Sequence, residues 1–184
     1  VELKSSQLAL ITSRYRLETA LEGTNDGLWD WNLETDDVYY SPRWEAMLGY
    51  APDELESKLS TWAGLIDPLQ KKRVLAFVTE YLEGQVNNFD IEFRMHHKNG
   101  HWVEIQSRGQ LAHDAEGRIL SPRRLIGTHT DITARKVAQR QLQRSEKEQR
   151  TLIAALPDVI MRFDSDARYL FISENVSSVL ALKA

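Results

Sequence analysis

Phe89-Asp90-Ile91-Glu92-Phe93-Arg94-Met95-His96 is the stretch where the chain changes its period. Apolar side chains stand at 89, 91, 93 and 95 with polar ones between them, the pattern of a strand with one buried face. Before it, Pro68–Glu83 reads as a longer amphipathic helix with Leu69, Val74, Phe77, Val78, Tyr81 and Leu82, closed by Gly84. After it, Lys98-Asn99-Gly100 makes a turn and a long strand runs from Trp102 to about Leu111. Asp114-Ala115-Glu116-Gly117 turns again, and the last strand is expected from Ile119 to Ile132, irregular around Pro122. A long helix followed by a three-stranded meander is the skeleton of an α+β domain.

Upstream of the helix the same reading gives a hairpin. Leu28–Leu33 alternates Trp29, Trp31 and Leu33 against Asp30 and Asn32; Glu34-Thr35-Asp36-Asp37 turns; Val38–Ser41 is β-branched and aromatic. Asp36 and Asp37, in that turn, are expected to be solvated. Ser41-Pro42 starts a helix, with Ser41 as N-cap, Pro42 in the first position, Glu45 near the capping-box place and Gly49 as C-cap. Short helical pieces are expected at Ala51–Glu56 and Thr61–Ile66.

The chain has 184 residues, 42% hydrophobic and 27% charged, enough to bury a sizeable core. It has no cysteine, which removes disulfides, thiolate catalysis, Cys-ligated zinc and any chromophore attached through sulfur. No apolar run approaches the roughly 20 residues of a membrane span and nothing resembles a signal peptide, so a cytoplasmic location is expected. A net charge of −4 offers no general attraction for nucleic acid. That charge is uneven. Residues 18–60 hold eleven acids against Arg43 and Lys58, whereas residues 133–150 hold six bases against Glu146 and Glu148. The basic stretch contains no Gly, Pro or aromatic residue and reads as a solvated connecting helix.

Both ends read as cut from a longer protein. Residues 1–21 form a helix with Leu8, Ile11 and Tyr15 in one stripe, and residues 134–155 form a connecting helix. The latter carries Ala138, Leu142, Ser145, Gln149, Leu152 and Leu156 at heptad spacing, so Leu8, Ile11, Tyr15, Leu142 and Leu152 are candidates for the seam of a homodimer. An internal repeat follows. An offset of 132 residues lays Leu28-Trp29-Asp30-Trp31 on Ile160-Met161-Arg162-Phe163 and Val38-Tyr39-Tyr40-Ser41 on Leu170-Phe171-Ile172-Ser173, so residues 156–184 read as the start of a second copy.

Five motifs in order carry a resemblance: Asn25-Asp26-Gly27-Leu28-Trp29-Asp30-Trp31-Asn32, Tyr40-Ser41-Pro42-Arg43-Trp44, Met47-Leu48-Gly49-Tyr50, Phe93-Arg94 with Lys98-Asn99-Gly100-His101-Trp102, and Gly127-Thr128-His129-Thr130-Asp131-Ile132-Thr133. Residues 22–133 resemble a PAS domain with its C-terminal PAC segment, a sensory module of bacterial signalling proteins. The resemblance implies a five-stranded antiparallel sheet in the order 2-1-5-4-3 with helices on one face, flanked by N- and C-terminal signalling helices. It implies a non-catalytic input module covalently linked to an output domain, a cyclic-di-GMP cyclase or phosphodiesterase, with a sensor histidine kinase as the alternative. A ligand-free interaction module is the further alternative. The motif Asp131-Ile132-Thr133 resembles the family's junction between last strand and signalling helix, which makes these three the relay candidates. The loop Leu65-Ile66-Asp67-Pro68-Leu69 departs from the family's usual His-Pro-Asp text.

The residues offer little catalytic chemistry. No Ser/His/Asp set, phosphate loop or kinase motif is present, carboxylates are expected to be solvated, and the five histidines lack metal-pair spacing. Haem in similar domains takes its ligand from the long helix, which holds no His here, and a cysteinyl flavin is excluded. Non-covalent flavin or an unknown small ligand would meet Trp29, Trp31, Tyr40, Trp44, Met47, Leu48, Trp62 and Phe77, the pocket candidates; these bulky groups also suffice to fill the interior. No metal, catalytic residue, nucleic acid or membrane contact is expected.

Overall fold

The computed structural model describes residue 23 and residues 26–113, 116–119, 121–155 and 161–172. These fall into two compact units, residues 1–134 and 135–184. The first begins with strands β1 (Gly27–Asn32) and β2 (Val38–Tyr40), followed by helices α1 (Pro42–Met47), α2 (Leu59–Leu65) and α3 (Pro68–Leu82). Strands β3 (Phe89–His96), β4 (Trp102–Leu111) and β5 (Arg124–Asp131) complete one antiparallel sheet in the order β2-β1-β5-β4-β3. Helix α4 spans Thr133–Ala155, and β6 (Met161–Phe163) pairs with β7 (Tyr169–Ile172) in the second unit.

Alternation decides which face is buried. Phe89, Ile91, Phe93, Met95, Val103, Ile105 and Leu125 point to one side and join Trp44, Leu48, Trp62, Ile66, Val74 and Val78 from the helices in a single core. The opposite side carries charge pairs: Arg124 grips Asp30 with two nitrogens at 2.9 and 2.7 Å, and Asp90 accepts from Gln106 and Arg108.

Helix starts follow the capping rules. The Ser41 hydroxyl accepts from the Trp44 amide with Pro42 in the first turn, and Gly49 leaves α1 with φ of 81°. Buried Asp67 accepts from Leu69 N at the start of α3 and pairs with Arg94, so the departing Asp67-Pro68 text ties helix to sheet.

Three local expectations are corrected. Residues 51–56 form turns and not a helix, because the Glu45 carboxylate takes the amides of Asp53 (2.9 Å) and Leu55 (3.2 Å). Glu45 therefore does not close a capping box on Ser41, whose amide bonds the Leu28 carbonyl instead. The last strand begins at Arg124 and not Ile119, which makes only an isolated bridge to His113; Pro122, with no N–H for the ladder, lies between. The acids of the β1–β2 turn are exposed, as expected, and make surface contacts there: Asp37 pairs with Lys58, and Asp36 accepts from Trp31 Nε1 at 3.2 Å.

In the second unit, Met161 pairs with Ile172 and Arg162 with Phe171. In the first, Trp29 pairs with Tyr40 and Asp30 with Tyr39. The two registers match at an offset of 132 before a bulge at Arg162/Phe163 shifts the next pair. The expected helix over residues 1–21 lies outside the described residues, as do residues 156–160 and 173–184.

Candidate ligand pocket and helix junction

One row of cross-strand neighbours defines the inner surface of the sheet: Tyr40, Trp29, Gly127, Gly109 and Phe89, one from each strand. The two glycines leave a trough, and the Trp29 ring lies in it. A Cβ at Gly127 would stand 2.4 Å from Trp29 Cζ2, and one at Gly109 2.9 Å from Cη2. Trp29 thus reaches across β5 and β4 toward Phe89, 5.8 Å away between ring centroids. The indole occupies sheet surface that a planar ligand would need.

Above this ring a cavity of about 30 Å³ remains, lined by Trp29, Trp31, Val38, Tyr40, Leu59, Trp62, Val78, Phe89, Ser107, Leu125 and His129. Of the eight residues expected to form the pocket, Trp29, Trp31, Tyr40 and Trp62 line it. Trp44, Met47, Leu48 and Phe77 do not. Trp44 stacks on Tyr40 at 4.0 Å, Met47 and Leu48 belong to the core around α1, and Phe77 meets Phe89 edge-on at 5.4 Å. Val38, Leu59, Val78, Phe89, Ser107, Leu125 and His129 also line it and were not among the expected residues. The places of Ser107 and His129 are readable from alternation, because they share the inward parity of Ile105 and Leu125 on their strands.

The polar groups at this site are few and buried. Trp44 Nε1 donates to His129 Nδ1 at 2.8 Å, and burial pushes the His129 imidazole down to about 3. The ring is therefore neutral, with Nδ1 as acceptor and its hydrogen on Nε2. The Tyr40 hydroxyl donates to the Lys58 carbonyl at 2.9 Å, and burial raises its pKa. The indole nitrogens of Trp29 and Trp62 have no hydrogen-bond partner among the described residues.

These residues do not fit the larger groups that PAS-like domains hold. Cofactor sites run to about 300–1,000 Å³, an order of magnitude above this cavity. Helix α3 offers no His, and among the described residues no cluster of three metal-ligating side chains occurs.

The relay candidates sit where β5 ends. The Ile132 amide donates to the Glu104 carbonyl at 2.8 Å, and the Thr133 hydroxyl accepts from the Glu104 amide at 3.0 Å, extending the β4–β5 ladder with a side chain. The Thr133 amide donates to Asp131 Oδ1 at 2.8 Å, while Ile132 is buried and Asp131 exposed. Leu142 and Leu152 are exposed on α4; Leu8, Ile11 and Tyr15 lie outside the described residues. No helix among the described residues is long and apolar enough to cross a membrane.

Comparison with known proteins matches this geometry. The chain is 34% identical to a sensory box histidine kinase/response regulator of Burkholderia thailandensis, with a TM-score of 0.60 over 74% of this chain and 98% of that structure. The N-terminal domain of a diguanylate cyclase with PAS/PAC sensor from Marinobacter aquaeolei is 26% identical, with a TM-score of 0.52 over 60% of this chain and 98% of that one. The non-motile and phage-resistance protein of Caulobacter vibrioides is 27% identical over 179 residues, 94% of this chain, which spans 20% of that relative's length. The profile of the PAS fold matches residues 37–129. With the sheet order, the aromatic-lined inner face and these matches together, the chain belongs to the PAS fold family.

Proposed function

We propose that this chain is a sensory and dimerising input segment of a longer signalling protein, and that its PAS domain acts on an output domain through the Asp131–Thr133 junction. The observation that carries this is continuity. Strand β5 runs from cavity-lining Leu125 and His129 to Asp131, and the first residue of α4 is bonded both to Asp131 and to β4. Exchanging those hydrogen bonds offers two ways for the helix to leave the domain. A differential interaction of a few kcal/mol suffices to bias two such states.

A cyclic-di-GMP cyclase or phosphodiesterase was the first expectation and a histidine kinase the alternative; we infer the histidine kinase instead, since the 34% match is to a histidine kinase/response regulator and the diguanylate cyclase match is 26%. Dimerisation is assigned to α4 through Leu142 and Leu152, whose exposure leaves apolar surface to cover. The β6–β7 hairpin supports residues 156–184 as the opening of a second PAS domain, because its register repeats that of β1–β2. The interior is read as self-filled, without flavin or haem.

The test is Asp131→Ala and Thr133→Val in the intact protein, assayed for phosphoryl transfer from ATP and for cyclic-di-GMP synthesis. Altered output from a folded variant supports the relay, and whichever product forms decides between the outputs. Unchanged regulation in both folded variants would refute it.

A further inference from the structure

We propose that the β3–β4 hairpin is a proton-operated latch: neutral His97 holds its turn on the end of α1, and protonation of His97 releases it, loosening the start of β4 beside the Asp131–Thr133 junction. The effect on output rests on the sensory reading above, whereas the latch itself stands on the hairpin contacts alone.

Two of the sequence motifs meet at this place, residues 47–50 after α1 and residues 98–102 between the strands. The Lys98 amide donates to the Leu48 carbonyl at 2.9 Å. The Lys98 ammonium pairs with Glu54 and lies 5.5 Å from the centre of the Tyr50 ring. His97 packs its imidazole on Gly49, where a Cβ would stand 2.3 Å from Cε1 and 2.5 Å from Nε2.

The hydrogen bonding of the ring sets the sign. His97 Nδ1 accepts from the Asn99 amide at 3.0 Å, so the latched imidazole is neutral with its hydrogen on Nε2. A proton added at Nδ1 would face that N–H, and the bond is lost. The His101 ring is stacked on His97 with centroids 4.1 Å apart, so two charged rings there repel each other. Around the His97 ring stand His96, Lys98 and His101 on the hairpin, and Glu45, Tyr50 and Glu54 on α1 and the segment after it. The two acids are already engaged, Glu54 by Lys98 and Glu45 by the Asp53 and Leu55 amides. Burial, with His101 and His96, pushes the His97 imidazole below its ordinary 6.5. The latch is therefore at full strength above that value and weakens as pH falls below it.

Strand β4 carries the release to the junction. His96 pairs with Trp102 and Met95 with Val103. The next residue, Glu104, bonds both the Ile132 amide and the Thr133 hydroxyl. Freeing the turn removes a tie to α1 from the strand end that positions the first residue of α4.

The experiment follows the whole chain by NMR between about pH 7.5 and 5.5, above the range where carboxylates titrate. It reads the titration of the His97 ring and the exchange protection of the Lys98 amide. His97 is expected to titrate below about 6.5, and Lys98 protection to fall by up to about tenfold one pH unit below that value. In His97→Asn, whose Oδ1 can still accept from the Asn99 amide without titrating, the fall shrinks to what His129 imposes on both chains. His97→Gln takes its place if the asparagine variant does not fold. A His97 midpoint at or above about 6.5, or a fall in protection as large in the variant as in the parent, overturns the proposal. In the intact protein, a change of output across this range that His97→Asn lacks supports the link to the junction. Constant Lys98 protection with Asp131 variants that still alter output defeats this inference alone. A pH-dependent latch with output unaltered in the Asp131 and Thr133 variants defeats the sensory reading and leaves the latch.

Discussion

The ring of Trp29 lies so close to Gly127, its neighbour on β5, that a Cβ at Gly127 would stand 2.4 Å from Cζ2. The two stand 98 positions apart in the chain. The pair explains how a fold built around a hollow sheet face is filled from within: the strand that supplies the largest side chain is matched by two strands that supply none. Gly127 and Gly109 are paired with each other, so the Cζ2–Cη2 edge of the ring rests against backbone. Close packing of this kind stiffens the inner face of the sheet, and a small space lined in part by Trp62 and His129 remains beside it.

Alanine at the two glycines separates ring from backbone. At Gly109 the new Cβ would meet Trp29 Cη2 at 2.9 Å and the Ile126 carbonyl at 3.0 Å, whereas at Gly127 it would meet the Arg108 carbonyl at 2.1 Å. Gly109→Ala is expected to cost about 1–3 kcal/mol in urea unfolding, and much of that cost should vanish in a Trp29→Leu background. The Gly127→Ala cost should persist there, because a carbonyl cannot step aside. Equal costs in both backgrounds would show that the ring does not lie on Gly109.

His129 ties stability to pH. Its folded-state pKa is about 3 against an ordinary 6.5, so below 6.5 the unfolded chain binds a proton that the folded chain refuses. The contribution is complete above that value and is lost as pH falls toward 3. Between pH 7 and 5, where carboxylates still matter little, this amounts to about 2 kcal/mol. His97, also pushed down by burial and by His101 and His96, acts in the same direction. In His129→Asn, whose amide oxygen can still accept from Trp44, the pH slope of unfolding free energy should shrink by that amount. An unchanged slope would mean that His129 is protonated in the folded state.

Much of this was legible in the sequence, and the rest was hidden for identifiable reasons. Period two at 89–96 and 102–111, Ser41-Pro42 and Gly49 are local signals, and the strands and caps stand where those signals put them. The loop at 51–56 was misread because its composition suits a helix while its amides are claimed by Glu45, eight to ten residues away. Alternation told which side chains face inward, but not how far an indole extends. Trp29 and Trp44 are both inward and aromatic; one walls the cavity and the other stacks on Tyr40 because of where α1 crosses β1. The expectation that every carboxylate is solvated failed at Glu45 and Asp67, both buried, for the same reason: their partners are backbone amides and an arginine that only the folded chain brings near.

Glu45 gives the corresponding test. Its carboxylate is the acceptor for two amides of a turn that contains Asp53 at positive φ and whose Glu54 pairs with Lys98 on the β3–β4 hairpin. Glu45→Ala should lose about 1–3 kcal/mol and speed hydrogen exchange at the Asp53 and Leu55 amides. Glu45→Gln keeps one oxygen and should lose less. Unaltered exchange at both amides in the alanine variant would show that the turn stands without the carboxylate.

The connecting helix carries the last prediction. Leu142 and Leu152 are 61% and 68% exposed, on a helix otherwise rich in Arg, Lys, Gln and Glu, and their spacing of ten residues returns to the same heptad seam. Two leucines so exposed in a polar helix gain little from a single chain and about 1.5–3 kcal/mol each from burial against a partner. Two polar seam positions, Ser145 and Gln149, weaken the contact between them. The dimer is therefore expected to be concentration-dependent in sedimentation, dissociating in Leu142→Asp/Leu152→Asp while the β-sheet signal of the PAS domain is retained. Leu142→Ile and Leu152→Ile, which keep the apolar surface, should sediment as the parent does. A parent chain that stays monomeric at high concentration, or an aspartate variant that dimerises as well as the parent, would remove α4 from the interface and leave dimerisation to another surface.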